Sequence, residues 1–456
     1  MNTAIHLADR TEYRVALIDP SAMKLLAESD ANGLHLPRVR IPRWSRPAEE
    51  INKAIRSQWQ VTSIVLTIIE PTNGRPSCAV AELILPPKAG ATNTLLLKDI
   101  VCFDETELNA EERASVNSLI AGGAAPSGPF ARLGWLREAQ GWIQSSIPTR
   151  EIEFTEEIHQ LNAGDRFALI RLGTKNKGAY WLKATGDPNQ HERAFSVELS
   201  RLFPKYLPSI IADREDWNAW VTEDAGEPLG GAQDFERLLK ATESLADLQI
   251  LSLGHVAELR AAGFMDRRLA VMQAHLPEMF AFLEEAMRRQ TSARVKPLER
   301  ARLQEILSVV DHACERMQEL GIPDCLVHGD INLDNILFDG TRIRFTDWAE
   351  GGMGNPFLTF EQVLQHVIRD GEHLDLVPRL CEAYGKKWLP LLRDHQIDSA
   401  FTLMPLLAMA DTLFGRGDWL GSPRQEEPAF QSFARTLARC MDRAAAELSS
   451  LEVQLS

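Results

Sequence analysis

The residues best suited to do chemistry lie in two short polar runs, at 327–335 and at 346–348. Within these runs, the carboxylates of Asp330 and Asp347 and the carboxamide of Asn335 stand at the spacing that phosphoryl transfer requires. Phosphoryl transfer requires that the phosphates of a nucleotide be held on Mg²⁺ and that a base accept the proton of the attacking hydroxyl. Asp330 suits the base, and Asn335 and Asp347 supply the oxygen ligands that Mg²⁺ prefers. The two runs therefore predict a phosphoryl-transfer site.

The segment between Asn335 and Asp347 predicts a β-hairpin that would position these two residues. Residues 336–338 and 342–345 are strand-like, and the Asp339-Gly340 dipeptide between them is typical of a tight turn that needs positive φ angles. Since a hairpin returns the chain to the end at which it started, we expect Asn335 and Asp347 to lie at the same end.

The order and spacing of these residues resemble the catalytic segment of the aminoglycoside phosphotransferase family, small-molecule kinases that share the protein-kinase fold. The matching residues are His-Gly-Asp at 328–330, Asn335 and Asp-Trp at 347–348. The resemblance implies that Asp330 is the catalytic base, that Asn335 and Asp347 bind metal, and that His328 is a structural brace for the loop. Each fragment alone is common in loops, so the inference depends on their order and spacing.

A kinase fold also requires an upstream lysine that contacts the nucleotide phosphates and pairs with a glutamate on the next helix. Residues 166–184 predict a hairpin that ends near Lys183, which is therefore the candidate phosphate contact; a solvated lysine at a strand end is the alternative. The helix predicted after Pro188 offers two partners, Glu192 and Glu198. The resemblance favours Glu192, because a glutamate opens this helix in family members, although a solvated helix face explains either residue.

The strand predicted at 217–222 runs into a segment, 223–229, that resembles the inter-lobe hinge of the family. Backbone groups would hold the adenine there, so Glu223 and Ala225 are assigned to nucleotide binding by position only. An ordinary exit from a strand to a loop is the alternative. No Gly-x-Gly-x-x-Gly motif precedes Lys183, and only residues 161–165 lie in the equivalent loop. This departure argues against a protein kinase more than against an aminoglycoside-type kinase, which often lacks the motif.

Composition narrows the class of protein further. The 456 residues are 45% hydrophobic and 25% charged, as in soluble globular proteins. A formal net charge of −15 disfavours a nucleic-acid partner, which would require a basic face. The six cysteines lack the paired spacing of a zinc site or a disulfide framework. Without a hydrophobic signal core or an apolar run of membrane-spanning length, we expect a cytoplasmic protein with no membrane partner; its oligomeric state is not determined.

The run of small and helix-breaking residues at 121–129 predicts a domain boundary. We expect a first domain at 1–125, a linker and bridging helix at 126–147, a kinase-like N-lobe at 148–225 and a helical C-lobe at 226–456. Helical periodicity at 235–251, 301–320 and 430–448 supports the last assignment. The predicted fold class is α+β, a two-lobed protein-kinase-like fold with a small β-rich N-lobe and a helical C-lobe, preceded by a separate α/β domain.

The first 120 residues predict a strand at 13–19, a helix at 47–59 and a buried strand at 64–69, an order that resembles a Nudix-type domain. A working Nudix hydrolase gathers glutamates on one helix to bind divalent metal around a diphosphate. Here Ser57 stands where the first of these glutamates is expected and the paired acids are missing, while Glu49 and Glu50 suit a solvated helix start. We therefore expect a hydrolytically inactive domain that recognises a substrate or partner, or stabilises the kinase-like lobes.

These features predict an ATP-dependent phosphotransferase, with ATP and Mg²⁺ as cofactors, that acts on a hydroxyl of a small molecule such as an aminoglycoside, an amino-alcohol, a sugar or another metabolite. The alternative is a nucleotide-binding pseudokinase or sensor that acts as a regulatory or interaction module. A third possibility, transfer of a nucleotidyl group, is not favoured by the motif.

The acceptor is not determined by the sequence. The segment at 411–423, which contains Trp419, is a candidate wall of the acceptor site or a connecting loop between two helices. Several acidic residues are either contacts for a cationic acceptor or solvated surface acids: Glu350, Asp411, Asp418, Glu426 and Glu427.

Overall fold

The computed structural model describes residues 10–31, 33–43, 45–70, 74–86, 95–122, 128–147, 151–175, 178–231, 234–369, 374–416 and 423–455. These residues form two compact units. Unit 1 comprises the residues up to Arg193 together with Ser209–Asp224, and unit 2 comprises Ala194–Pro208 and the residues from Ala225 onward. The predicted boundaries of the four segments remain predictions.

Unit 1 begins with a mixed sheet and two helices. The strands are β1 (Arg10–Asp19), β2 (Lys24–Asp30), β3 (Gly33–His35), β4 (Arg38–Pro42), β5 (Thr62–Ile69), β6 (Ser77–Leu85) and β7 (Leu96–Lys98), and the helices are α1 (Pro47–Trp59) and α2 (Ala110–Ile120). The strand order is β3-β2-β1-β6-β5, with β4 paired to β1 and β7 paired to β2. The elements predicted at 13–19, 47–59 and 64–69 are confirmed as β1, α1 and β5.

A second sheet follows in the same unit. Its strands are β8 (Phe154–Ala163), β9 (Ala168–Thr174), β10 (Ala179–Ala184), β11 (Ile210–Arg214) and β12 (Ala219–Glu223), and helix α3 (Trp135–Ser146) precedes them in the chain. Helix α4 (Glu192–Leu202), between β10 and β11, begins in unit 1 and continues into unit 2. The strand order is β11-β12-β10-β9-β8. The predicted hairpin ending near Lys183 is confirmed as β9 and β10, which pair antiparallel.

One hydrophobic core joins the two sheets of unit 1. Because side chains alternate along a strand, Leu17 of β1 packs in a cluster with Ile51 of α1, whereas Ile18 lies in a second cluster with Trp135 of α3. That second cluster also contains Leu182 of β10. The first sheet, α3 and the second sheet therefore share buried surface, and the separate first domain stays a prediction.

The side chain of Gln160 on β8 makes a polar bridge between the two sheets. It is only 4% exposed. Its Oε1 accepts hydrogen bonds from the backbone N–H of Val65 at 2.7 Å and from Nδ2 of Asn52 at 2.9 Å, and its Nε2 donates to the carbonyl of Val65 at 2.8 Å. Val65 lies on β5, at the end of the sheet order and beside a register shift. An edge strand has backbone groups without sheet partners, and the side-chain amide of Gln160 supplies hydrogen-bond partners to the backbone of Val65 on β5.

Unit 2 is mainly helical. Its helices are α5 (Phe235–Ser252), α6 (Val256–Ala261), α7 (Leu269–Arg288), α8 (Arg300–Glu319), α9 (Pro356–Arg369), α10 (Val377–Trp388), α11 (Asp394–Gly415) and α12 (Pro428–Leu455). Two small sheets lie among them, with strand orders β13-β16-β17 and β14-β18-β15. The strands are β13 (Glu227–Pro228), β14 (Met265–Arg267), β15 (Cys325–Val327), β16 (Ile336–Phe338), β17 (Ile343–Phe345) and β18 (Gly352–Gly354). The helices predicted at 235–251, 301–320 and 430–448 are confirmed to within a residue at their ends, except that α12 is longer at both.

Helix α11 has the length and apolar composition of a membrane-spanning helix, and 61% of its most apolar window is buried inside the protein. A buried core helix meets the same criterion, so this property is weak evidence for a membrane span.

The strand predicted at 217–222 starts two residues later than expected. Trp217 instead closes a short 3-10 turn, and Asn218 adopts a left-handed conformation with φ of 46°. The side chain of Asn218 donates hydrogen bonds to the carbonyls of Thr185 and Gln190 at 2.6 and 2.8 Å. These bonds fix the left-handed turn, so β12 begins at Ala219.

Candidate functional site

The His-Gly-Asp segment follows β15 directly and is fixed by contacts of its backbone. A Cβ atom on Gly329 would lie 2.3 Å from the carbonyl oxygen of Glu350, and the φ of Gly329 is 79°, a conformation that favours glycine. Nε2 of the buried His328 donates a hydrogen bond to the carbonyl of Thr346 at 2.9 Å. The imidazole also packs against Trp348, with ring centroids 4.4 Å apart. His328 thus connects the loop to the residues on both sides of Asp347.

Asn335 is positioned by a side-chain cap that was not predicted from the sequence. Oδ1 of Asn332 accepts hydrogen bonds from the backbone N–H groups of Asp334 and Asn335, at 2.9 and 3.1 Å, and starts a short 3-10 turn. Nδ2 of Asn335 donates to the carbonyl of Asp330 at 3.0 Å. The nitrogen of the carboxamide therefore holds the loop, and its oxygen is the atom suited to a metal. The asparagine at position 332, directly before a short 3-10 turn, was the feature of the sequence that could have predicted this cap.

The hairpin between Asn335 and Asp347 is confirmed. Strands β16 and β17 pair antiparallel, and the backbone N–H of Thr346 donates to the carbonyl of Asn335 at 3.0 Å. Asn335 and Asp347 consequently lie at the same end, as expected from the sequence.

The turn of this hairpin is longer than the Asp-Gly dipeptide predicted. It spans residues 339–342, and of the two predicted turn residues Gly340 has positive φ, at 96°. The Asp339 carboxylate accepts hydrogen bonds from the backbone N–H groups of Thr341 and Arg342, at 2.9 and 2.8 Å. Although burial alone would raise the pKa of Asp339, the hydrogen bonds from Arg342 and Thr341 lower it well below its usual range. The ionised carboxylate thus holds a wider turn.

Asp347 occupies an unusual backbone conformation. Its φ of 67° lies in the left-handed region, where few residues other than glycine, asparagine and aspartate are found. Such strain persists only where surrounding structure imposes it, and it clusters at functional sites. The conformation supports a functional constraint on this residue.

Asp330 projects an accessible carboxylate from the loop. Its side chain is 43% exposed, and Nη2 of Arg416, which follows the last residue of α11, donates to its Oδ1 at 3.2 Å. Nη1 of Arg416 also lies 3.9 Å from Oε1 of Glu350. Arg416 could not be identified from the sequence, because nothing in the local pattern of α11 indicates a contact with residue 330.

A buried ion pair lies behind this loop. Arg267, on β14, donates to Oδ2 of Asp411 at 2.7 Å and to the carbonyl of Glu350 at 3.0 Å. Both charged side chains are buried. Asp411 was expected to be either an acceptor contact or a solvated surface acid, and it is neither, because its carboxylate is committed to Arg267.

Lys183 and Glu192 form an ion pair within unit 1. Lys183 lies on β10, and its Nζ is hydrogen-bonded to Oε1 of Glu192, the first residue of α4. Glu192 is buried and Lys183 is mostly buried. Nζ of Lys183 also lies 5.7 Å from the centroid of the Trp220 ring. Glu198, the other candidate, instead pairs with Arg201 at 2.6 Å on the surface.

The predicted hinge residues fall on either side of the division between the units, which lies between Asp224 and Ala225. The backbone N–H of Glu223 donates to the carbonyl of Ser209 at 3.1 Å. The carbonyl of Ala225 accepts a hydrogen bond from Nη1 of Arg344 at 3.3 Å. The adenine contacts at Glu223 and Ala225 stay predictions.

Two of the remaining candidates for acceptor binding, Glu350 and Glu426, differ in their exposure. Glu350 is mostly buried near Arg416, whereas Glu426 is exposed with Oε1 3.4 Å from Nη1 of Arg289. Asp418 and Trp419 lie outside the described residues. Within the described ranges, no group of three or more histidine, cysteine, aspartate or glutamate residues is arranged to hold a metal ion. A Mg²⁺ ion that keeps positions for phosphates and water does not require such a group, so the assignment of Asn335 and Asp347 as its protein ligands stays a prediction.

The sequence matches the family model described as "Phosphotransferase enzyme family" over residues 157–395, just over half of the chain. The chain therefore belongs to this family. The matched region includes the Lys183–Glu192 pair, the His-Gly-Asp loop and the hairpin. Family membership supports a small-molecule phosphotransferase. No curated protein sequence matches the chain.

Several solved structures resemble the chain at low identity. An ethanolamine kinase from Plasmodium vivax is 15% identical with a TM-score of 0.46, covering 73% of this chain and 95% of its own. A choline kinase from Cryptosporidium parvum is 14% identical with a TM-score of 0.46, covering 70% and 94%. The GDP complex of wild-type aminoglycoside 2'-phosphotransferase-IIIa is 16% identical with a TM-score of 0.42, covering 68% and 98%. Similarity at this level does not transfer an activity.

Proposed function

We propose that the protein is an ATP-dependent, Mg²⁺-requiring kinase that transfers the γ-phosphoryl group to a hydroxyl of a small molecule. The observation that carries this proposal is the hairpin that places Asn335 and Asp347 at one end, with Asn335 also bonded to the backbone of Asp330. One short segment thus supplies a base and two metal ligands, which is the set that phosphoryl transfer needs.

Each residue has a defined task in the proposed reaction. The Asp330 carboxylate orients the acceptor hydroxyl and takes its proton, while the hydroxyl oxygen bonds to the γ-phosphorus. The bond from the γ-phosphorus to the bridging oxygen breaks, and ADP keeps the electron pair. Asn335 and Asp347 would hold Mg²⁺, which neutralises phosphate charge when bound. Lys183, held by Glu192, is assigned to the nucleotide phosphates, and the backbone at Glu223 and Ala225 to the adenine.

The N-terminal region, residues 10–122, is proposed to stabilise the catalytic part of the chain. Its contacts with α3 and with Gln160 support this role. Its Nudix-like character, its lack of hydrolytic activity and the cytoplasmic location of the protein remain predictions.

The test is an acceptor screen with a matched control. Wild type, Asp330→Asn and Asp334→Asn are incubated with MgATP or MgGTP and a panel of aminoglycosides, amino-alcohols, sugars and cell metabolite extract, and product mass is followed. Asp334 is an exposed residue of the same turn, so Asp334→Asn controls for changes of charge in the loop. We expect one acceptor to gain a single phosphate with wild type and Asp334→Asn.

With Asp330→Asn, transfer should fall by at least about a hundredfold, the usual contribution of a positioned base. Nucleotide binding should be retained. Equal turnover by Asp330→Asn and wild type would refute the base assignment. Nucleotide binding without transfer to any acceptor would favour the pseudokinase or sensor alternative.

A further inference from the structure

We propose that Arg416 is a catalytic arginine, supplied by the end of α11, that pairs with Asp330 in the free protein and binds the γ-phosphoryl group during transfer. This inference rests on the proposed kinase function. It adds a residue that lies outside the family's catalytic segment and whose position in the sequence gave no sign of this contact.

The distance between Arg416 and Asp330 places the guanidinium at the reacting atoms. A base lies about 2.6–3.2 Å from the hydroxyl whose proton it takes, and that hydroxyl approaches the phosphorus to about 3–3.5 Å. Nη2 of Arg416 lies 3.2 Å from Oδ1 of Asp330. A guanidinium bonded to the base is therefore within reach of the incoming phosphoryl oxygens after a small movement of its side chain.

The catalytic loop itself lacks a cation for this task. The transferred group carries negative charge on its equatorial oxygens, and an arginine supplied to it by the same chain or by a partner accelerates related reactions about 10³–10⁵-fold. Residues 331–335 are isoleucine, asparagine, leucine, aspartate and asparagine. The cation that the described structure brings to Asp330 comes instead from α11.

Arg267 fixes the position of Arg416 relative to Asp330. A Cβ atom on Gly329 would lie 2.3 Å from Nη1 of Arg267, and a Cβ atom on Gly415 would lie 2.0 Å from the same nitrogen. The buried guanidinium is thus in direct contact with the residue before Asp330 and with the residue before Arg416. Its ion pair with Asp411 on α11 holds this arrangement. Arg267 is therefore a positioning residue for both.

The Asp330–Arg416 pair is suited to exchange partners. Its side chains are 43% and 35% exposed, and ion pairs between such exposed groups contribute little to stability. An arginine presents a planar set of donors that matches phosphate better than it matches one carboxylate oxygen. Arrival of the phosphoryl group therefore gives Arg416 a better partner and releases Asp330 to accept the proton.

The test needs no acceptor. Full-length wild type, Arg416→Met, Arg416→Lys and Arg443→Met are titrated with MgADP, alone and with aluminium fluoride, which stands in for the transferred phosphoryl group. Arg443 is an exposed arginine on α12 and serves as the matched control. We expect all four proteins to bind MgADP with similar affinity. Aluminium fluoride should tighten MgADP binding to wild type and Arg443→Met, and this tightening should fall at least about tenfold in Arg416→Met and less in Arg416→Lys.

Unchanged tightening in Arg416→Met would overturn the inference, and so would a wild type that binds MgADP without any tightening. A wild type that does not bind MgADP at all would instead refute the proposed kinase function. If Arg416→Met loses MgADP binding through misfolding, the result with Arg416→Lys tests the inference, because this variant keeps the positive charge but not the planar donors. Full tightening of MgADP binding by aluminium fluoride in Arg416→Lys would contradict the role of the guanidinium.

Discussion

Replacing Gln160 with leucine should loosen unit 1 at the bridge between its two sheets. Leucine has a similar size but no polar group, so the N–H and carbonyl of Val65 and the amide of Asn52 each lose a hydrogen bond. A buried polar group left without a partner costs about 1–3 kcal/mol. Because water can enter a relaxed site, we expect a local loss of roughly 3 kcal/mol rather than the full sum.

Hydrogen exchange is the appropriate assay, because a chain of two compact units does not have one well-defined free energy of unfolding. A change of roughly 3 kcal/mol in the local opening equilibrium accelerates exchange about a hundredfold. The effect should appear by mass spectrometry in peptides from β5 and β8. Gln58→Leu, at an exposed glutamine on α1, is the control and should leave exchange in β5 and β8 unchanged.

Replacing Gln160 with glutamate provides a second test, in which the hydrogen bond to Val65 depends on pH. When ionised, Gln160→Glu places a carboxylate oxygen beside the carbonyl of Val65, whereas the protonated form can donate a hydrogen bond to it as Gln160 does. Protection in this variant should therefore recover as the pH falls. If Gln160→Leu keeps wild-type exchange in both strands, the bridge does not hold the sheets together and the reasoning fails.

Two further predictions concern unit 2. Burial raises the pKa of Glu361 to about 7, so the folded protein keeps a proton that the unfolded chain releases above about pH 4.5. The free energy of unfolding should therefore fall as the pH rises through this window. Glu361→Gln should recover up to roughly 3 kcal/mol at pH 8 and little below pH 4.5. Hydrogen exchange in peptides from α9, which contains Glu361, tests this for both proteins between pH 4.5 and 8.5 after correction for the intrinsic exchange rate at each pH, and parallel profiles of protection would contradict it. Gly329→Ala should destabilise unit 2 by more than about 2 kcal/mol, because it adds a clash to the cost of placing an alanine in the left-handed conformation. Gly340 has a φ of 96° and open space around it, so Gly340→Ala should show only the conformational cost of about 1 kcal/mol. Equal losses of hydrogen-exchange protection around the two substitutions would show that the clash with Glu350 and Arg267 is relieved.

The sequence predicted those features that depend on local patterns. The helix at Pro47–Trp59 has a proline at its first position and apolar residues at helical spacing, and both signals lie within the helix itself. The hairpin after Asn335 likewise depends on a few adjacent residues. These signals were sufficient to place Asn335 and Asp347 at the same end of the hairpin.

Contacts between distant residues could not be predicted in the same way. A glutamine within a strand pattern does not indicate that its amide will bond the backbone of Val65, 95 residues away. The pair formed by Arg267 and Asp411 joins residues 144 apart. Phe130, which directly follows the small, breaker-rich run at 121–129, packs edge-on against Trp135 within a core shared by both sheets. Such contacts depend on tertiary packing, which no local pattern contains.

The contacts around Asp330 show how this proposed base is held firmly and remains accessible. Asn335 bonds its backbone carbonyl, and Arg267 lies against the preceding residue, Gly329. His328 connects the same loop to Thr346. These contacts act on the backbone, whereas the Asp330 carboxylate is partly exposed and its described contact is with Arg416. The main chain is therefore fixed from several directions while the side chain can exchange one partner for another, which is the combination that a base for an incoming hydroxyl requires.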